Sequence, residues 1–352
     1  MTRVASISTL AAALMFATSA AAQVSATPPT VQKSEPEKPA AKPKTKPHTV
    51  TKKPPASATE AKPATTAPAA TAPDDPNVDR VYGAYQRGQY KTAFDLATVR
   101  AQAGDPKAMT MLGELYANEL GVRRDDAKAV EWYRRAADAG DREAMFALAM
   151  MRIAGRGAPA DRLEAVKLLA AAAKLGEPKA AYNLALLYLD GQTLPQDLKR
   201  AAELLRLAAD AGNPEAQYAL ATFYKEGTGV EKDLEKAVRL LQAAALADNV
   251  DAEVEYAIAL YNGTGTPKNQ PAAVALLRKA AHQNSPIAQN RLARVLVTGQ
   301  GAPMDKIEGL KWHVIAKTSG KGDLFLDEAL AQLSPEDRAK VEDAARRWLN
   351  VK

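Results

Sequence analysis

The sequence predicts an all-α solenoid of about eight antiparallel helix pairs, preceded by a disordered linker. Two observations carry this. Written from Gly104 in rows of 36 residues, the chain aligns without a gap, and a fixed period of that length marks a stack of two-helix units. Columns of that alignment then hold one residue type: Ala108, Ala144, Ala180, Ala216, Ala252 and Ala288 at row position 5, and Ala136, Ala172, Ala208, Ala244, Ala280 and Ala316 at position 33. Position 26 runs Ala129, Ala165, Ala201, Ala237, Ala273 and then Gly309. Small side chains at fixed places let neighbouring helices approach closely.

The N-terminus comes first and is set apart from the fold. Arg3, the apolar stretch from Leu10 to Ala17, and the small residues Ser19 to Ala22 have the pattern of a secretory signal, with cleavage expected between Ala22 and Gln23. Ser6, Ser8, Thr9, Thr18 and Ser19 break the stretch well short of the roughly 20 apolar residues of a membrane span. The expectation is a bacterial protein in the periplasm or secreted, with no membrane span once residues 1–22 are removed.

Residues 23–77 are rich in Pro, Ala, Lys and Thr, lack aromatic residues and have only Val24, Val31 and Val50 as β-branched aliphatics. Such a segment buries no core and reads as a disordered, semi-rigid spacer. Its eight lysines face five acids, so half of the chain's net charge of +6 lies there. It is a tether, or a basic contact for an anionic envelope polymer. The remainder is too near neutrality to supply the positive field that nucleic-acid binding needs. With no cysteine in the chain, disulfides, thiolate metal sites, a lipidated cysteine anchor and cysteine nucleophiles are all excluded.

Residues 78–103 read as a short helix pair, and residues 104–319 as six repeats. Gly104, Gly140, Gly176, Gly212, Asp248 and Asn284 open the rows and suit the left-handed residue that ends a helix. Pro106, Pro178, Pro214 and Pro286 fit the first turn of the next helix, where a missing N–H costs nothing. That helix spans roughly row positions 3 to 15 and ends in a loop such as Gly155-x-Gly157 or Gly227-x-Gly229. Asp125, Asp161, Asp197, Asp233, Asn269 and Asp305 are placed to cap the second helix, which buries positions 26, 29, 30 and 33. Residues 320–352 are expected to close the stack: Ser334-Pro335-Glu336-Asp337 has the hydroxyl cap, proline and early acids of a helix start, and a stack needs a polar end.

Rows such as GDPKAMTMLGELYANELGVRRDDAKAVEWYRRAADA and GNPEAQYALATFYKEGTGVEKDLEKAVRLLQAAALA resemble Sel1-like repeats, a relative of the tetratricopeptide repeat, of the exported bacterial type. The resemblance covers residues 104–319, and Gly88-Gln89-Tyr90 is similar to a tetratricopeptide turn. It implies a right-handed solenoid and a scaffold or adaptor role in protein–protein interaction, as in periplasmic regulators of exopolysaccharide signalling. Glu119, Arg152 and Thr193 depart from the pattern, at a loop glycine, the tyrosine column and a second loop glycine respectively.

No catalytic constellation emerges. His48, His282 and His313 are out of helical reach of one another, which disfavours a zinc site. The glycine-rich loops follow helices, not strands, so they are connectors and not phosphate cradles. The chain is therefore expected to be no enzyme and to carry no cofactor or metal.

What remains is a surface. Around the first helix, positions 4, 7, 11, 14 and 15 point away from the packing face, and resemblance to tetratricopeptide proteins puts them on a concave groove. They include Phe146, Met150, Ile153, Tyr182, Leu186, Leu189, Tyr218, Ile258 and Tyr261, flanked by charged and polar residues such as Glu143, Lys179, Asp190, Glu215, Lys225, Glu226, Asp251 and Asn262. An apolar groove with a charged rim accepts a helix or extended peptide, unless the curvature of the stack buries these side chains. The reading is an exported scaffold that holds an envelope protein in signalling or assembly. The alternative is a peptidoglycan or polysaccharide binder using the lysine spacer and groove tyrosines.

Overall fold

The computed structural model describes residues 79–350. The signal segment, the Ala22/Gln23 junction, His48 and the linker lie outside them. Among the described residues there are sixteen helices and no strand. A leading pair, α1 (Arg80–Gln86) and α2 (Tyr90–Gln102), precedes α3 (Pro106–Ala117) and α4 (Asp126–Asp138). Then follow α5 (Arg142–Ala154) with α6 (Arg162–Lys174), α7 (Pro178–Asp190) with α8 (Leu198–Asp210), and α9 (Pro214–Glu226) with α10 (Leu234–Leu246). The series ends with α11 (Val250–Asn262) and α12 (Gln270–His282), α13 (Pro286–Thr298) and α14 (Lys306–Thr318), and the closing pair α15 (Leu324–Ala331) and α16 (Pro335–Asn350). Consecutive pairs stack into a solenoid.

The repeat begins with its breaks. Gly104, Gly140, Gly176 and Gly212 have φ between 82° and 92°, and the same left-handed turn is held by Asp248 (59°) and Asn284 (69°) where later rows lack glycine. Asx side chains tolerate this region better than other non-glycine residues. Each second helix opens on its expected cap: one side-chain oxygen of Asp125, Asp161, Asp197, Asp233, Asn269 or Asp305 accepts a bond from a backbone N–H two or three residues on. The first helices are capped too, by Asp105, Asp141, Glu177, Asn213, Asn249 and Ser285. Pro106, Pro178, Pro214 and Pro286 all stand in the first turn.

The recurring alanine columns are the core. All twelve alanines at row positions 5 and 33 are at most 2% exposed. Larger apolar residues fill the spaces around them: Leu169, Leu205 and Leu241 are buried on second helices, and Leu148, Leu184, Leu220 and Leu292 on first helices.

The glycine loops turn out to join repeats as well as helices. A Cβ on Gly157 would stand 2.1 Å from the carbonyl oxygen of Asp126, the first residue of the preceding repeat's second helix. Gly229 and Gly265 lie equally tight on Leu198 and Leu234, at 2.3 Å and 2.4 Å from their carbonyl oxygens. The residue between the two glycines adds to the grip in the second repeat, where the Arg156 guanidinium donates to Asp126 Oδ1 at 2.8 Å. Of the departures noted in the sequence, Glu119 keeps the left-handed turn at φ 58°, whereas Thr193 is not in that region.

The C-terminal pair seals the far end around Trp312, which is fully buried. Its indole N–H donates to Glu308 Oε1 at 2.8 Å, and its ring meets Trp348 and His282 edge-on with centroids 5.0 Å and 5.2 Å away. His313 is fully buried, with Nε2 2.9 Å from Asp327 Oδ1. Its place is in the packing of α14 against α15.

Candidate functional site: the groove of first helices

First helices of successive repeats lie side by side, and the width of the space between them depends on the residues at row positions 7, 11 and 14. In the third repeat these are Tyr182, Leu186 and Leu189. They are only 2%, 2% and 1% exposed and belong to one buried cluster with the alanines of α7 and α9. This corrects the reading of those three as partner contacts: curvature folds them between neighbouring helices, where they hold the stack together. Phe146 and Ile153 are half-buried against the same cluster. Met150 is also half-buried, and Tyr218 packs partly against the core of α10.

The continuous apolar groove expected from the sequence is therefore filled in the middle. Its polar rim forms cross-repeat pairs: Lys107 Nζ lies 3.3 Å from Glu143, and Lys225 Nζ donates to Glu255 at 2.9 Å. Desolvation by the surrounding groove wall, reinforced by the neighbouring Glu255, raises the Asp251 carboxyl above its ordinary range although its side chain stays exposed. Burial and the same two acids push the Tyr218 hydroxyl up to about 12. Lys179 and Glu226 are exposed, and Asp190 and Glu215 half-buried.

The groove opens at its C-terminal end. Between α11, α13 and α15 lies a pocket of about 380 Å³, and here two of the expected residues, Ile258 and Tyr261, come together. The other walls are Leu277, Val295 and Phe325, with Arg291, Arg294, Asn262, Thr298 and Gln300 as polar lining. Tyr261 donates its hydroxyl to the Gln300 carbonyl at 3.1 Å, fixing one wall. Arg294 is held by both carboxylate oxygens of Asp323, one at 2.9 Å, and lies over the Phe325 ring at 5.5 Å. That pairing lowers the Asp323 carboxyl below the usual range. A smaller pocket of about 160 Å³ lies at the opposite end, among Tyr82, Arg100, Lys107, Met111, Glu114 and Glu143.

Arg291, Arg294 and Phe325 were not in the sequence-derived set. The first two continue columns 8 and 11 into the sixth row, where a basic residue replaces Glu255 and Ile258, so the alignment carries a signal for them. Phe325 sits in the closing pair, which departs from the repeat period, and only folding brings it to the pocket. Apolar walls with fixed polar groups suit binding. Among the described residues no group of three or more histidines or acids is arranged to hold a metal ion.

Six successive copies of the Sel1 repeat family model match residues 106–141, 142–177, 178–213, 214–249, 250–285 and 286–320. The chain belongs to the Sel1 repeat family. The matched register starts two residues after the row-opening turns and keeps their period. Thirty-six solved chains match. A Sel1 repeat protein from Oxalobacter formigenes is similar over 69% of this chain and 100% of its own, with 27% identity and a TM-score of 0.62. The protein c5321, a protective antigen present in uropathogenic Escherichia coli strains and displaying an SLR fold, is similar over 77% of this chain and 69% of its own, with 25% identity and a TM-score of 0.52. Among curated proteins none matches. Sel1 repeat proteins generally mediate protein–protein interaction, and their fold is a scaffold that is not typically catalytic. No helix among the described residues is long and apolar enough to cross a membrane.

Proposed function

We propose that this Sel1 repeat protein is an exported scaffold of the bacterial envelope that holds a protein partner at the open, C-terminal part of its groove. The observation that carries the reading is the pocket between α11, α13 and α15: it is apolar on Ile258, Val295 and Phe325 and polar at its edge, and its walls come from three successive helix pairs. A partner seated there touches the last two repeats and the closing pair, beyond the filled central repeats. Export rests on the signal-like segment before Gln23.

A photo-crosslinking residue in place of Thr298, which is exposed at the pocket, is expected to form an adduct with an envelope protein in intact cells. The same residue in place of Leu163, 66% exposed on a second helix, is expected to form none. Equal labelling from both positions overturns the reading. Cosedimentation of the protein with purified cell wall, independent of the pocket, favours the alternative of a peptidoglycan or polysaccharide binder.

A further inference from the structure

The pocket's lining has an uneven charge. Two arginines contribute to it and no carboxylate does. Arg294 is already committed to Asp323, whose side chain is only 9% exposed beneath it. Arg291 is different: it is exposed and has no ion pair or hydrogen bond among the described residues. The equivalent column in earlier repeats reads Met111, Ala147, Asn183, Ala219 and Glu255, so a cation there is peculiar to the last repeat. Elsewhere along the groove the charges of neighbouring repeats neutralise each other, as in Lys107 with Glu143 and Lys225 with Glu255.

Resting on the scaffold reading above, we propose that the pocket selects a partner segment carrying an aspartate or glutamate side chain next to a large apolar residue. The apolar side chain fills the space over Ile258, Val295 and Phe325. The neighbouring carboxylate pairs with Arg291, whose planar guanidinium offers two parallel donors to it. Arg294 shapes the wall: clamped by Asp323, it keeps the Phe325 ring in place. Charge complementarity across a docking site sets which partner is accepted and how fast it arrives.

The test is a selection of random ten-residue peptides, displayed without a free C-terminal carboxylate, against the full chain. The recovered peptides are expected to be enriched in Asp or Glu beside Leu, Phe, Tyr or Trp. Their affinity is expected to fall about tenfold in Arg291→Ala, less in Arg291→Lys, and to weaken with added salt. Melting curves matching the parent exclude loss of fold as the cause. Peptides released by Phe325→Ala but lacking an acid and indifferent to Arg291→Ala overturn this inference while leaving the pocket as a docking site. Peptides indifferent to every pocket variant overturn both. A selection that recovers nothing overturns this inference, and the crosslinking result then judges the broader reading alone.

Discussion

Gly157 and Asp126 meet where two repeats join: a Cβ on the glycine would stand 2.1 Å from the aspartate's carbonyl oxygen. Gly155, two residues earlier, has a similar φ of 65°, but a Cβ there makes only an ordinary contact, 3.4 Å from the Ala160 Cβ. The two glycines of one loop therefore do different work. Gly155→Ala is expected to cost about 1 kcal/mol, the strain of a left-handed alanine. Gly157→Ala adds a backbone clash and is expected to cost about 3 kcal/mol. Urea unfolding with amide exchange across the first two repeats checks this, and equal costs for both variants count against the joint.

The buried acid of α11 makes a second prediction. Gln217 and Gln289 each donate a side-chain N–H to the carbonyl eight residues earlier, Ala209 and Ala281, at 3.2 Å. Glu253 occupies the same column, is fully buried and has no donor to offer. The Lys279 ammonium approaches it, yet neither carboxylate oxygen has a well-directed hydrogen bond. Glu253→Gln is therefore expected to stabilise the protein by about 1 kcal/mol at neutral pH. Lys279→Ala should destabilise the parent and have a smaller effect in the glutamine variant, which a double-mutant cycle in urea reads directly.

Acid should act first on particular junctions. Hydrogen bonds from Arg156 and Arg124 lower the Asp126 carboxyl to about 2. A depressed folded-state pKa means the contribution is complete above the unfolded value, about 3.9, and is lost as the pH falls through the folded one. Because solvent screens the pair, the loss is expected to stay below about 1 kcal/mol. Between pH 4 and pH 2, exchange protection at the junction of the first two repeats should fall in the parent, with a flatter profile in Asp126→Asn. An identical slope in both proteins refutes the assignment.

Tyr182 separates core from contact surface. Its hydroxyl is buried without a hydrogen-bond partner. Burial raises its pKa, with a smaller contribution from Glu215. Tyr182→Phe is expected to hold or raise stability, by up to about 1 kcal/mol, whereas Tyr182→Ala should cost about 3–5 kcal/mol by opening a cavity. Neither should change peptide binding at the C-terminal pocket while the protein remains folded. Lost binding in a folded Tyr182→Phe protein would place the contact surface in the centre after all.

Much of the fold was legible because its causes are local. Asp161 caps the helix that begins one residue later, Gly176 ends that same helix, and Ala172 must be small where two helices cross; each responds to residues close by in the sequence. The groove was legible in direction only. Periodicity correctly grouped Tyr182, Leu186 and Leu189 on one side of α7, but whether that side meets solvent depends on how closely α5 and α9 approach. Arg291 and Arg294 were readable by carrying the columns to the last row. Phe325, outside the period, had no such signal.

The amino-acid order by itself determined the two-helix unit, its length, its caps and the family to which the chain belongs, since turns and helix ends respond to residues a few positions apart. Only the tertiary structure decided which part of the inner face is open. Burial there is set by the rotation between successive units, a quantity to which residues 36 or more positions apart contribute, and it fills the centre with leucine and tyrosine while leaving space beside Arg291.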